Sequence, residues 1–218
     1  MNERAGPLVR LVTEDDLGGV CEIVNYFIEK TVFNFRTEPQ VVDEWRDQWR
    51  RLHSRFPWLL ATNDDRLVGV AYTGPWNHRV VYQWTVEVTV YVDASAHRRG
   101  VGDALYTELL ARLRRQGFRS AVAVIAPPND PSVRLHERYG FIQVGQLGDA
   151  GYKVGAAGTM SDSGSAYCAA AAMRQRRRCP SRDEHIYEPR KNRQPCDELA
   201  RAHGRLRAAE CDRRELRL

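Results

Sequence analysis

The chain has 218 residues, a formal net charge of +5 and five cysteines, a length that allows one domain or one domain with an extension. It holds no run of about 18 apolar residues, which excludes a membrane-spanning helix. The opening MNERAGPLVRL has no apolar h-region, so no signal peptide is expected and a cytoplasmic location follows.

Leu8 to Val12 reads as a short strand. Thr13, with acids at 14–16, then offers a cap hydroxyl and a negatively charged first turn. Leu17, Val20, Val24, Phe27 and Ile28 follow at helical spacing. Pro39 sits where a first-turn proline is tolerated, and Val42, Trp45, Trp49 and Leu52 make the apolar stripe of a second helix. Trp58 to Thr62 and Leu67 to Thr73 are strands joined by Asn63-Asp64-Asp65, a hairpin signal. Val80 to Val92 alternates well enough for one or two strands. Val101, Leu105, Leu109 and Leu113 line one face of a helix that ends near Gly117. Ser120 to Ala126 is apolar, as in strands buried on both faces. Pro131 opens a short helix that stops before Gly140, and Phe141 to Leu147 is a further strand. This order predicts an α/β fold, a mixed central sheet with helices on both faces.

The chemistry concentrates in WTVEVTVYVDASAHRRGVG, residues 84–102. A strand runs into an Arg-rich, Gly-punctuated turn that opens a helix. Such a turn points several backbone N–H groups at one place, where the helix N-terminus also points. The motif lacks the Lys-Ser/Thr ending of a P-loop and the glycine spacing of a dinucleotide site. Glu87 stands upstream on the same strand, so a phosphate cradle lies beside a candidate base.

His97-Arg98-Arg99-Gly100-Val101-Gly102 resembles the acetyl-coenzyme A loop of the GCN5-related N-acetyltransferases, Gln/Arg-x-x-Gly-x-Gly/Ala, with His97 departing at the first position. Trp84-Thr85-Val86-Glu87 and Asn129-Asp130-Pro131-Ser132, followed by Leu135-His136-Glu137, resemble the phosphinothricin acetyltransferase branch. The resemblance covers roughly Val9 to Gly155. It implies acetyl transfer from acetyl-coenzyme A to the amine of a small amino acid or analogue, with a role in herbicide or antibiotic resistance and the possibility of a homodimer. It implies Glu87 as general base and His136 as the group that meets the departing thiolate or helps deprotonate the amine; Tyr106 and Tyr139 are alternative acids. Val90, Tyr91 and Val92 would pair with the cofactor. Arg98, Arg99, Gly100, Val101, Gly102 and Asp103 would hold its pyrophosphate, and Asn129 and Ser132 would meet its other parts. Phe35, Tyr72, Arg79, Tyr82, Tyr91 and Tyr106 fall on the acceptor side. Arg79 can pair with a carboxylate or phosphinate in bidentate fashion. The amine needs a base because a free α-amino group, pKa near ~8, is mostly protonated at pH 7. No metal cluster is expected.

The tail is a different kind of sequence. Up to Ala157 there are 19 basic and 19 acidic residues; beyond it there are 14 and 9. Cys21 is the body's cysteine, whereas Cys168, Cys179, Cys196 and Cys211 fall in the tail. In the resembling branch the chain continues after Gly-Tyr-Lys with a last strand close to Trp-His-Asp-Val-Gly-Phe-Trp-Gln-Arg. Written as TGG CAC GAT GTC GGA TTC TGG CAG CGC G and read without its first base, that ending gives Gly-Thr-Met-Ser-Asp-Ser-Gly-Ser-Ala. This is Gly158 to Ala166 residue for residue. With 30 Arg against 3 Lys the gene reads as GC-rich. The expectation is a domain over 1–156 that lacks its last strand, and a frameshifted, largely disordered tail over 157–218 with at most an isolated helix after Pro195. A basic run such as Arg174 to Arg178 otherwise suggests a nucleic-acid arm, a partner a shifted frame makes unlikely. The alternatives are a protein N-terminal or polyamine acetyltransferase, and an inactive relative with a basic tail.

Overall fold

A computed structural model describes residues 6–147, 153 and 166–173, all within a compact unit that spans residues 1–176. The elements, in chain order, are β1 (Leu8–Leu11), α1 (Leu17–Lys30), α2 (Val42–Leu52), β2 (Trp58–Asn63), β3 (Arg66–Pro75), β4 (Thr85–Val92), α3 (Val101–Arg115), β5 (Ser120–Ile125), α4 (Asp130–Arg138), β6 (Ile142–Leu147) and β7 (Ala166–Ala172). The strands form one sheet in the order β1-β2-β3-β4-β5-β7-β6. Only the β4–β5 pairing among these is parallel.

Successive side chains of a strand point to opposite faces, and β2 shows what that does here. Trp58 and Leu60 join Leu17, Val20, Val24, Ile28 and Trp45 under α1 and α2. Leu59 and Ala61 join Leu105, Leu109, Leu110 and Leu113 of α3 on the other face. The sheet is thus covered on both sides, as the element order implied. The turn before α1 is fixed by Asp16, whose carboxylate accepts from Arg10 at 2.7 Å and from the Thr13 N–H and hydroxyl at 2.7 Å.

Two expectations are corrected. Val80–Tyr82 is a short 3-10 turn and β4 begins at Thr85. Val80 and Val81 are exposed, so their apolar run does not face a core. The last strand is also present: β7 lies in the tail, antiparallel to β5 on one side and to β6 on the other. Backbone hydrogen bonding fills this slot with an alanine run that carries no strand propensity. Ala171 and Met173 are buried there. The expected helix after Pro195, the Arg174–Arg178 run and Cys179, Cys196 and Cys211 lie outside the described residues.

Candidate active site

β4 and β5 pair only from Thr85 to Glu87 against Ser120 to Val122. Beyond that rung β5 continues against β7, pairing Ala123 with Ala169, Val124 with Cys168 and Ile125 with Tyr167. The two parallel strands therefore open like a wedge. A cleft of about 680 Å³ lies between them, lined by Val88 to Val92, by Ala123 to Ala126 and by the first turns of α3 and α4. This suits a ligand that carries hydrogen-bonding groups along its length, because the divergence leaves strand edges to be satisfied.

The turn before α3 is shaped by two left-handed residues, Arg98 at φ 59° and Gly100 at φ 76°. The first hydrogen bond of the helix runs from the Ala104 N–H to Gly100 O at 2.9 Å. The N–H groups of Val101, Gly102 and Asp103 precede it and have no partner within the helix. All three residues line the cleft, together with Arg98 and Gly100. A Cβ on Gly102 would lie 3.2 Å from Leu135, so the bare backbone lets α3 and α4 close on each other beside the cleft. The His97 Nε2 lies 3.0 Å from Val92 O, which ties the turn to the end of β4. Asp103 accepts both its contacts from one guanidinium, Arg138 at 2.6 and 2.7 Å, so the acid beside these N–H groups is paired with a cleft-lining cation. Arg138 was not singled out in the sequence. Arg99 is exposed and does not line the cleft.

Asn129 caps α4: its side-chain oxygen accepts from the Ser132 N–H at 3.3 Å. One turn on, His136 is 4% exposed and touches the cleft. Its Nδ1 lies 2.7 Å from Ser132 O and its Nε2 2.5 Å from the Tyr106 hydroxyl. A carbonyl can only accept, so Nδ1 donates to Ser132 O, and in the neutral ring Nε2 accepts from Tyr106. Burial pushes the His136 pKa down, which favours that neutral form. Burial also pushes the Tyr106 phenol well up. Tyr106 is wholly buried between His136, Tyr139 and Phe141. Expected on the acceptor side, it stands instead behind His136 in the core, because its place on α3 faces the sheet. The Tyr139 hydroxyl donates to Asp103 O at 2.7 Å.

Glu87 stands on the last paired rung of β4 and β5, opposite Gly74 of β3. A Cβ on Gly74 would meet nothing within 4 Å, so there is open space on the carboxylate's side of the sheet. Burial raises the Glu87 pKa above the ordinary carboxylate range. The same face carries Tyr72, opposite Thr89, and Tyr91, opposite Val70. Tyr91 is pushed up to about 12 by burial, held back by a hydrogen bond from Asn34, which donates to its hydroxyl at 2.9 Å. The charge of Arg36 holds both phenols down, while that of Glu87 pushes both up. Arg36, itself exposed, is thus an arginine whose charge reaches this face, whereas the sequence pointed to Arg79 for that charge. Phe35, Arg36, Arg79 and Tyr82 are exposed, and neither they nor Tyr72 and Glu87 are among the residues that line the cleft. Arg79 and Tyr82 ride on the β3–β4 connection, whose 3-10 turn stands out from the sheet. Among the described residues, no group of three His, Cys, Asp or Glu is placed to hold a metal ion.

A mixed sheet splayed at one parallel pair, with the N–H groups of a helix N-terminus at the mouth of the splay and a partly buried carboxylate on its last paired rung, has the layout of a group-transfer enzyme. The chain belongs to the acetyltransferase (GNAT) family, whose profile matches residues 21–141. It is 52% identical over 153 residues to the phosphinothricin N-acetyltransferase of Streptomyces viridochromogenes, a match covering 70% of this chain and 84% of that protein. It is 30% identical to the L-methionine sulfoximine/L-methionine sulfone acetyltransferase of Salmonella typhimurium, over 67% of this chain and 86% of that one. The fold is that of a phosphinothricin acetyltransferase from Sinorhizobium meliloti solved in complex with AcCoA, at a TM-score of 0.71 and 24% identity, over 77% of this chain and 89% of that chain.

Proposed function

We propose that the chain acetylates the amino group of a small amino acid or analogue, of the phosphinothricin or methionine sulfoximine kind, using acetyl-coenzyme A. The observation that carries this reading is Glu87, a partly buried carboxylate with a raised pKa, at the apex of the wedge and beside the space above Gly74. Acetyl-coenzyme A supplies the activated acetyl group as a thioester. The free edge of Val90, Tyr91 and Val92 suits the amide-bearing arm, and the amides of Val101, Gly102 and Asp103 suit a pyrophosphate. Arg98, Gly100, Asn129 and Ser132 line the same cleft.

Glu87 takes one proton from the acceptor ammonium, directly or through one water, and the freed amine then bonds to the acetyl carbon. As the carbon–sulfur bond breaks, the nitrogen loses its second proton and the leaving thiolate takes it up to become the thiol, so that one proton per turnover passes from Glu87 to solvent. A base whose pKa is raised toward neutrality is matched to this task. His136 contributes shape and a fixed hydrogen bond from Tyr106, since both its ring nitrogens are engaged. Arg36, and Arg79 if the connection that bears it folds inward, supply the charge for an acidic acceptor, with Phe35, Tyr72 and Tyr82 as apolar neighbours.

The tail is best read as the product of a frame shift near codon 157. The nine-residue translation match supports this, as does a relative that aligns with 70% of the chain. The proposed enzyme works on small molecules in the cytoplasm, in resistance to such compounds, and not on nucleic acid. Exposed Ile142, Val144 and Leu147 on edge strand β6 favour pairing of two copies.

The test is release of coenzyme A thiol with phosphinothricin, methionine sulfoximine, plain amino acids, an N-terminal peptide and a polyamine. Turnover with the small amino acids and neither of the last two is expected. Turnover with only the peptide or the polyamine overturns the acceptor assignment.

A further inference from the structure

The loop between α1 and α2 forms one wall of the acceptor face, and its anchoring comes from far along the chain. Phe33 of this loop and Phe27 at the end of α1 line the cleft, and Phe27 packs on the Tyr91 ring with centroids 4.8 Å apart. The Thr31 hydroxyl donates to Phe27 O at 2.7 Å and accepts the Phe33 N–H at 3.2 Å. The Arg36 N–H donates to the Asn34 side-chain oxygen at 2.9 Å. Asn34 is thus the pivot: its side-chain amide reaches Tyr91 and its oxygen sets the turn that presents Arg36.

Its own backbone carbonyl is taken by Lys153. The ammonium donates to Asn34 O at 2.9 Å and also to Ile28 O in the last turn of α1. Lys153 is 8% exposed. A buried ammonium needs such partners to offset its lost hydration. At a helix C-terminus it meets a carbonyl that the helix leaves unpaired and the negative end of the helix dipole. One residue, more than a hundred positions downstream, therefore clasps the end of α1 to the loop that faces Glu87.

We propose that Lys153 is a positioning residue for the acceptor: it holds the 31–36 loop so that Asn34 engages Tyr91 and Arg36 is presented to the acceptor's acidic group. This rests on the acceptor reading given above. Lys153 itself does not line the cleft, whereas the residues of the turn before α3 do, so its effect falls on the acceptor loop before it falls on acetyl-coenzyme A.

The experiment uses the full chain with Lys153→Met, Asn34→Ala and the double variant. Lys153→Met should raise the KM for the amino-acid acceptor about tenfold, as expected for a lost charged hydrogen bond, with the KM for acetyl-coenzyme A within about twofold of wild type. The double variant should be no worse than the poorer single one, because both act through one pivot. Hydrogen exchange of residues 31–36, measured without substrates, should quicken in Lys153→Met while α3 stays protected. Unchanged exchange at 31–36 overturns the clasp whatever the enzyme does. Faster exchange with unaltered acceptor KM, or effects that multiply in the double variant, overturns the positioning role. A wild type that acetylates no small amino acid overturns the proposed function, and the exchange comparison then judges the clasp by itself.

Discussion

Gly100 offers a quantitative test of the cradle because two effects that usually mix are separated there. Its φ is 76°, the left-handed region, yet a Cβ built on it would meet nothing within 4 Å. Replacing it therefore brings backbone strain and no collision. A left-handed residue with a side chain costs about 1–2 kcal/mol, and more if β-branched, whereas Asn is tolerated. If Gly100→Val keeps the native turn, the protein bears that cost as lost stability, a fall in Tm of about 2–4 °C per kcal/mol for a chain of this size. If the turn relaxes instead, the amides of Val101 to Asp103 lose their aim and acetyl-coenzyme A binds roughly 5- to 30-fold more weakly, the same energy expressed as affinity. Calorimetric titration with acetyl-coenzyme A, beside melting curves for wild type, Gly100→Asn and Gly100→Val, reads both terms. Gly100→Asn should stay close to wild type. A Gly100→Val protein with native affinity and native Tm would refute the reasoning, since the strain would then have no consequence.

Glu87→Gln should lower turnover roughly 10²- to 10⁴-fold and be partly rescued at high pH, where the amine deprotonates unaided; normal turnover at pH 7 removes Glu87 from the mechanism. Because its folded pKa is raised, Glu87 opposes folding once ionised, so the Gln variant should melt no lower than wild type at pH 7. His136 has a depressed folded pKa, so the unfolded chain binds its proton first and stability falls as pH drops below about 6.5. His136→Phe should flatten that acid limb of Tm against pH, and parallel profiles would contradict the buried neutral ring. Arg36→Ala should raise acceptor KM about tenfold and leave acetyl-coenzyme A KM alone, with a smaller effect from Arg79→Ala; the reverse order would return the acidic-group site to Arg79. A chain whose residues after 157 are replaced by the restored family ending should melt higher by several degrees, because each large apolar side chain buried in the last strand adds roughly 1.5–3 kcal/mol. Equal melting would show that the tail's strand serves as well.

What the sequence revealed is what short-range pattern encodes. The α3 stripe, the Gly-bearing turn and the Asn129 cap each lie within a few residues, and each element formed near its expected place. The order of strands and helices then left little freedom for the sheet. Contacts between distant segments were illegible: Tyr106 with His136, Asp103 with Arg138 and Lys153 with Asn34 are separated by 30, 35 and 119 positions. No period in the chain announces them. Tyr106 was placed on the acceptor side by the family resemblance, but helical rotation turns it inward. Strand β7 was missed for a different reason. Its alanines favour helix by propensity, and only the gap between β5 and β6 makes a strand of them.

The opening between β4 and β5 makes the sheet an unfinished one. Each strand there offers a ladder of peptide groups that has no peptide to complete it, which elsewhere invites a neighbouring chain to add itself. An amide-bearing arm lying along Val90 to Val92 would act as a surrogate strand, so the fold would be complete only in the loaded state. Mass action then couples folding to metabolism: at a ligand concentration 100 times Kd the bound state gains about 2.7 kcal/mol. The population of intact protein in a cell would follow its supply of activated acetyl groups, and starvation for acetyl-coenzyme A would expose the chain to unfolding and proteolysis as turnover falls.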